Sequence, residues 1–197
     1  MSFPAFLDTC VLYGAVLSDT LLRLAEHDTY RPHWSAQVLE ELSRNLQLHA
    51  GLSADKADRR INQMQDAFPD AIVTGYENLI PHMTCDPKDR HVLAAATHAK
   101  CQVLVTFNLK DFPEASLREF DLTVVHPDEF LLDQFDLFPD RVVASLIEQV
   151  ETSARPRLSY AELLGRLHRS GVESFVDEVR RHRFDLLPWE SRTSPAK

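Results

Sequence analysis

This chain has no run of about 18 apolar residues, no CxxC pair, few glycines and no surplus of positive charge. Each absence removes a class of protein. Without a long apolar run no membrane span is expected, and the first residues carry no basic segment, while Asp8 interrupts the apolar stretch a secretory leader would need. Cys10, Cys85 and Cys101 form an odd set with no paired spacing, which argues against a disulfide framework and suits reduced thiols. Cytoplasm is therefore the expected compartment. Five glycines in 197 residues argue against a collagen-like or loop-dominated chain. The net charge of -9 bears most on function, because proteins that grip phosphates carry a basic footprint. It leaves room for a nucleic-acid enzyme whose acidic groups are offset by bound cations. The charge is also uneven: nine basic against six acidic residues from Thr152 onward leave +3 there, against -12 in the remainder. That basic tail reads either as an RNA-facing surface or as a solvated helical face.

What is present is a globular composition, 44% hydrophobic and 26% charged, long enough for one domain and a small appendage. Short apolar runs at 3–7, 30–34, 71–74, 101–106 and 122–126 read as strands. Between them, residues 11–26, 35–46, 53–68 and 86–99 carry apolar side chains at spacings of three and four and read as helices, the first weakened by Gly14 and Ser18. Ser35 and Ser53 stand where helix caps belong. This alternation predicts an α/β fold with a central, mainly parallel sheet flanked by helices, whose ligands gather beyond the carboxyl ends of the strands. After Pro139 the pattern turns to helices only, at 141–150, 160–168 and 172–183, with connectors around Pro156 and at Ser170-Gly171. The expected division is a domain over 1–135, a helical C-terminal extension over 136–190 and a frayed end over 191–197.

Four acidic stations fall where these elements begin or end: Asp8, Glu41, Asp86-Pro-Lys-Asp89 and Asn108-Leu-Lys-Asp111. Each has an ordinary explanation on its own. Asp8 could cap the next helix, Asp86 and Asp89 could favour a helix N-terminus, and Asn108 and Asp111 could form a turn. Residues one apart on a helix point about 100° apart, so only one of Glu40 and Glu41 can face a shared site. The phase puts Glu41 beside Val38 and Leu42, and Glu40 towards solvent with Gln37 and Arg44. Gathered at one mouth, with the Thr106 hydroxyl beside them, the carboxylates would repel unless protons or hard divalent cations such as Mg²⁺ or Mn²⁺ neutralised them. That combination points to a metal-dependent nuclease. Cys10 has no activating His near it in sequence and reads as a small core residue, while His82, His91, His98 and His126 lack metal-ligand spacing, and His91 and His98, seven apart on a helix, read as surface or packing residues.

The segments Phe6-Leu-Asp8-Thr-Cys-Val-Leu12, 35–42, Asp86-Pro-Lys-Asp89-Arg-His-Val-Leu-Ala-Ala-Ala96 and Val103-Leu-Val-Thr-Phe-Asn-Leu-Lys-Asp-Phe112 resemble, in order, the motifs of PIN-domain nucleases, particularly VapC-type toxins of type II toxin–antitoxin pairs. The likeness covers about residues 2–134. It implies a PIN fold and a Mg²⁺- or Mn²⁺-dependent endoribonuclease with one or two ions per site, an RNA substrate, a cognate antitoxin and a homodimer. By position it carries Asp8, Glu41 and Asp89 over as core ligands, with Asp111 or Asn108 completing the site and Asp86 peripheral. Asn108 stands where some relatives have Asp, which removes one charge from a second metal position. Two further readings stay open: a PIN nuclease acting in RNA processing or DNA metabolism, and a PIN-like binding module without catalysis. An Asp-x-Asp phosphatase fits less well, because Asp8-Thr-Cys10 lacks the second Asp.

Overall fold

The computed structural model describes residues 2–153 and 158–186, and its contacts divide the chain into a first unit ending at Pro127 and a second beginning at Asp128. In the first unit, β1 (Phe3–Leu7), β2 (Tyr30–Ser35), β3 (Ile72–Val73), β4 (Val103–Val105) and β5 (Thr123–Val125) form a sheet of order β3-β2-β1-β4-β5. Every pairing is parallel. Parallel strands covered on both faces need not alternate apolar and polar, and β1 accordingly buries Ala5, Phe6 and Leu7 in succession. The register sets Leu7 against Val105 and Val105 against Val125, so these strands end at one level. Because the chain leaves β1 towards β2 on one side and returns through β4 on the other, their carboxyl ends open a crevice at a reversal of strand order.

The helices of this unit are α1 (Thr9–Tyr13), α2 (Ala15–Glu26), α3 (Ala36–Leu48), α4 (Ala54–Ala67), α5 (Arg90–His98) and α6 (Glu114–Leu117). The single helix expected over 11–26 is two helices, parted where Gly14 turns extended at φ -67° and ψ 117°. That break leaves the last carbonyls of α1 without helical partners. Arg60 of α4 supplies them, its guanidinium donating to the Leu12 carbonyl at 2.6 Å and the Tyr13 carbonyl at 3.2 Å. Ser35 caps α3 as expected, accepting from the Val38 N–H at 3.2 Å. Ser53 occupies the corresponding position before α4 but makes no such bond. The helix expected to open at Asp86 or Lys88 begins at Arg90, with Asp89 as its cap residue, and a 3₁₀ segment over Glu77–His82 was not foreseen.

The second unit contains α7 (Pro127–Leu137, opening at the boundary), α8 (Pro139–Glu151), α9 (Tyr160–Arg169) and α10 (Glu173–Leu186). The expected boundary at 135 falls within α7. Inside this unit Asp128 accepts from the Ser174 and Phe175 N–H groups at 3.1 and 2.9 Å, holding the start of α10, and Phe135 meets Phe175 edge-on. Ser159 and Glu162 close a reciprocal capping box on α9. Part of the basic tail is a solvated face, since Arg180 and Arg181 pair with Asp177 and Glu178 on their own helix. Arg155, Arg157, Arg192, Lys197, the connector at Pro156 and the expected frayed end lie outside the described residues. Among the described residues, no helix is long and apolar enough to cross a membrane.

Candidate functional site

Asp8 leaves the end of β1 with its N–H still in the sheet ladder, donating to the Val105 carbonyl at 3.2 Å, so its position is set by the central strand. Its carboxylate then serves two purposes. Oδ1 accepts from the Thr9 N–H at 2.6 Å and caps α1, while Oδ2 accepts from the Thr106 hydroxyl at 2.7 Å and lies 3.2 Å from Cys10 Sγ. Thr106, fully buried at the end of β4, thus orients Asp8 from behind. Cys10 also accepts the Phe107 N–H at 3.3 Å, and burial, reinforced by the Asp8 charge, pushes its thiol up to about 12. It is a neutral packing group at ordinary pH rather than a nucleophile.

Glu41 projects from α3 into the same crevice, and Glu40 is exposed, as the helical phase requires. Its Oε1 lies 3.1 Å from His91 Nε2, and its Oε2 accepts from the Thr9 hydroxyl at 3.0 Å. Burial would raise this carboxyl, but the hydrogen bonds and field of His91, with hydrogen bonds from Thr9 and Gln37, outweigh it and hold Glu41 below its ordinary value. His91 was expected to be a packing or surface residue. It is buried, as a packing residue would be, yet its ring is directed at a site carboxylate; the available signal was its position two residues after Asp89 on a helix start.

Asp89 enters from the head of α5 and is buried to 9% exposure. Its Oδ2 is buried and accepts no hydrogen bond, and burial together with the Asp8 charge raises the carboxyl to about 6. Lys88 reaches over it, with Nζ 3.0 Å from Asp111 Oδ2 and 3.8 Å from Asp89 Oδ2. Asp8, Glu41, Asp89 and Asn108 line one pocket of about 320 Å³ with Thr9, Cys10, Arg44, Asn45 and Lys88. Asp111 is buried beside it, joined through Lys88, and Thr106 stands behind Asp8. Asp86 does not line the pocket: its Oδ1 accepts the Lys88 N–H at 3.1 Å and shapes the turn into α5. Arg44, assigned to the solvent side by phase, is exposed yet lines the rim one turn beyond Glu41.

The donor chemistry fits a hard divalent cation: carboxylate oxygens from three separate elements and one buried oxygen with no hydrogen-bond donor. Among the described residues, no three His, Cys, Asp or Glu side chains are drawn together tightly enough to cage an ion as they stand. The carboxylates instead surround an open pocket.

The PIN domain family profile matches residues 4–110, and a second profile, the VapC50 C-terminal domain, matches residues 127–181. A protein of Mycobacterium tuberculosis named "Putative ribonuclease VapC50" is 40% identical over 111 residues, which are 56% of this chain and 65% of that protein. The aligned part therefore spans just under two thirds of the relative's length. No solved structure matches. With its parallel sheet, its carboxylates gathered from the β1 end, α3 and the head of α5, and a profile match over more than half its length, this chain belongs to the PIN-domain family.

Proposed function

We propose that this protein is a Mg²⁺- or Mn²⁺-dependent endoribonuclease and the toxin of a type II toxin–antitoxin pair. The observation that carries the reading is the convergence of Asp8, Glu41 and Asp89 from β1, α3 and α5 on one pocket, with a buried Asp89 oxygen left without a hydrogen bond. The name of the mycobacterial relative supports ribonuclease activity, and the match to the VapC50 C-terminal domain supports the toxin role and, with it, a cognate antitoxin.

Asp8, Glu41 and Asp89 would hold the cation, with Asn108 or Asp111 completing the set. Bound there, a divalent ion supplies Lewis acidity and a water of lowered pKa for in-line attack at phosphorus. The chain's own part is orientation. Thr106 and Cys10 fix the Asp8 carboxylate, and His91 and Thr9 fix both oxygens of Glu41. Arg44 and Lys88 bring positive charge to the rim of an otherwise acidic mouth, where a phosphodiester must approach. No side-chain nucleophile is needed, in keeping with the neutral Cys10 thiol.

The test is cleavage mapping on cellular RNA with Mg²⁺, wild type beside Asp8→Asn. Discrete cuts by wild type that fall by more than about 100-fold in the variant, while its circular dichroism is unchanged, support the reading. Equal cutting by both proteins defeats it. Arrest of growth on expression, relieved by co-expressing a small neighbouring reading frame, tests the toxin role. Cytoplasmic location and a homodimer belong to the same proposal, the latter read from sedimentation of the purified chain.

A further inference from the structure

The turn Asp86-Pro-Lys88-Asp89 is tied down more firmly than an exposed loop requires. The Asp86 N–H donates to the Asp111 carbonyl at 3.0 Å, the Asp89 N–H donates to the Asp86 carbonyl at 2.9 Å, and the Lys88 N–H donates to the Asp86 carboxylate at 3.1 Å. These bonds aim the Lys88 side chain back over the pocket. Its stem is solvated, with the side chain 62% exposed, but its ammonium meets two carboxylates whose side chains are only 9% and 13% exposed. One of those oxygens, Asp89 Oδ2, accepts no hydrogen bond, which leaves Lys88 at 3.8 Å as its ion-pair partner.

We propose that Lys88 is a tethered cation in the place of a second metal ion, so that the pocket binds one divalent ion and not two. The inference rests on the reading of the pocket as a divalent-ion site and specifies its stoichiometry. Two-metal phosphodiesterases set their ions about 3.5–4 Å apart, each with its own share of carboxylates. Here the space between Asp111 and the Oδ2 of Asp89 already holds a fixed positive charge, and a second divalent ion entering it must expel the ammonium or sit against it. Asn108 adds a neutral amide to the same pocket where a carboxylate would have favoured a second ion. Asp8 and Glu41, by contrast, take their contacts among the described residues from hydroxyls, a thiol, a backbone N–H, Gln37 and His91, with no lysine or arginine interposed. Removing the ammonium would leave Asp89 and Asp111 buried and uncompensated, the condition that recruits a divalent ion.

The experiment counts Mn²⁺ bound to the full chain by titration calorimetry, with free Mn²⁺ followed by electron paramagnetic resonance. Wild type is expected to bind one ion, Lys88→Met and Lys88→Gln two, and Lys88→Arg one. Lys88 is exposed, so these variants should keep the circular dichroism of the parent. Two ions on wild type, or one ion on both neutral variants, overturns the assignment of Lys88. Failure of wild type and of both neutral variants to bind Mn²⁺ at all removes the metal site on which the assignment rests, and so separates the two failures.

Discussion

On the α3 flank of the pocket, Glu41 is gripped by buried or nearly buried groups from two other elements, the His91 ring and the Thr9 hydroxyl. On the opposite flank, Asp89 and Asp111 are more deeply buried than Glu41 but, among the described residues, share one exposed lysine as ion-pair partner. The difference separates two ways of orienting an acid. Hydrogen bonds inside the fold fix direction and resist salt, whereas a tethered ammonium supplies charge with little directional hold. The first flank fixes the direction of one carboxylate, and the second balances the charge of two.

The comparison can be pressed hardest through the support of α3. Leu42 is fully buried beside Glu41, and Leu42→Ala should cost about 2–5 kcal/mol in urea unfolding, loosening the anchored flank along with the core. Next comes His91→Leu, which leaves Glu41 Oε1 without its partner and should weaken Mn²⁺ affinity and RNA cleavage by about 10–100-fold. His91→Gln keeps an N–H donor and should recover part of that loss, an outcome packing alone would not give. Equal losses from His91→Leu and Lys88→Gln would erase the distinction between the flanks. A smaller effect is expected for Ser35→Ala, about 1 kcal/mol of stability from the lost cap of α3, while Ser53→Ala, which removes no cap bond, should fall well short of it.

Those expectations depend on features that differ in how readily the sequence reveals them. Asp8 could be placed because it ends an apolar run too short for a helix, and a strand end in a parallel sheet is where a crevice forms. Glu41 could be chosen over Glu40 because 100° per residue is a local rule. Thr106 and Asn108 were visible for a similar reason, one closing the apolar run over 101–106 and the other just after it. His91 and Lys88 were not, because their partners Glu41 and Asp111 lie 50 and 23 residues away and meet them only through the crossover that brings α5 beside α3 and the turn after β4. No local periodicity encodes that meeting. The division of the first helix was half visible: Gly14 signalled weakness, but its extended conformation is sustained by Arg60, far along the chain. The boundary was drawn too late relative to the contact division because α7 reads as continuous with the helical tail only once Asp128 is seen holding α10.

Arg60 gives α1 an unusual dependence. A helix of five residues has too few internal bonds to persist alone, so α1 survives by being fastened at both ends. Its head is clasped by Asp8, and its tail hangs from the guanidinium of α4. Thr9, which steadies Glu41, rides on that suspended turn. The setting of Thr9, and through it of Glu41, therefore hangs on a guanidinium from a helix that lends the pocket no lining residue.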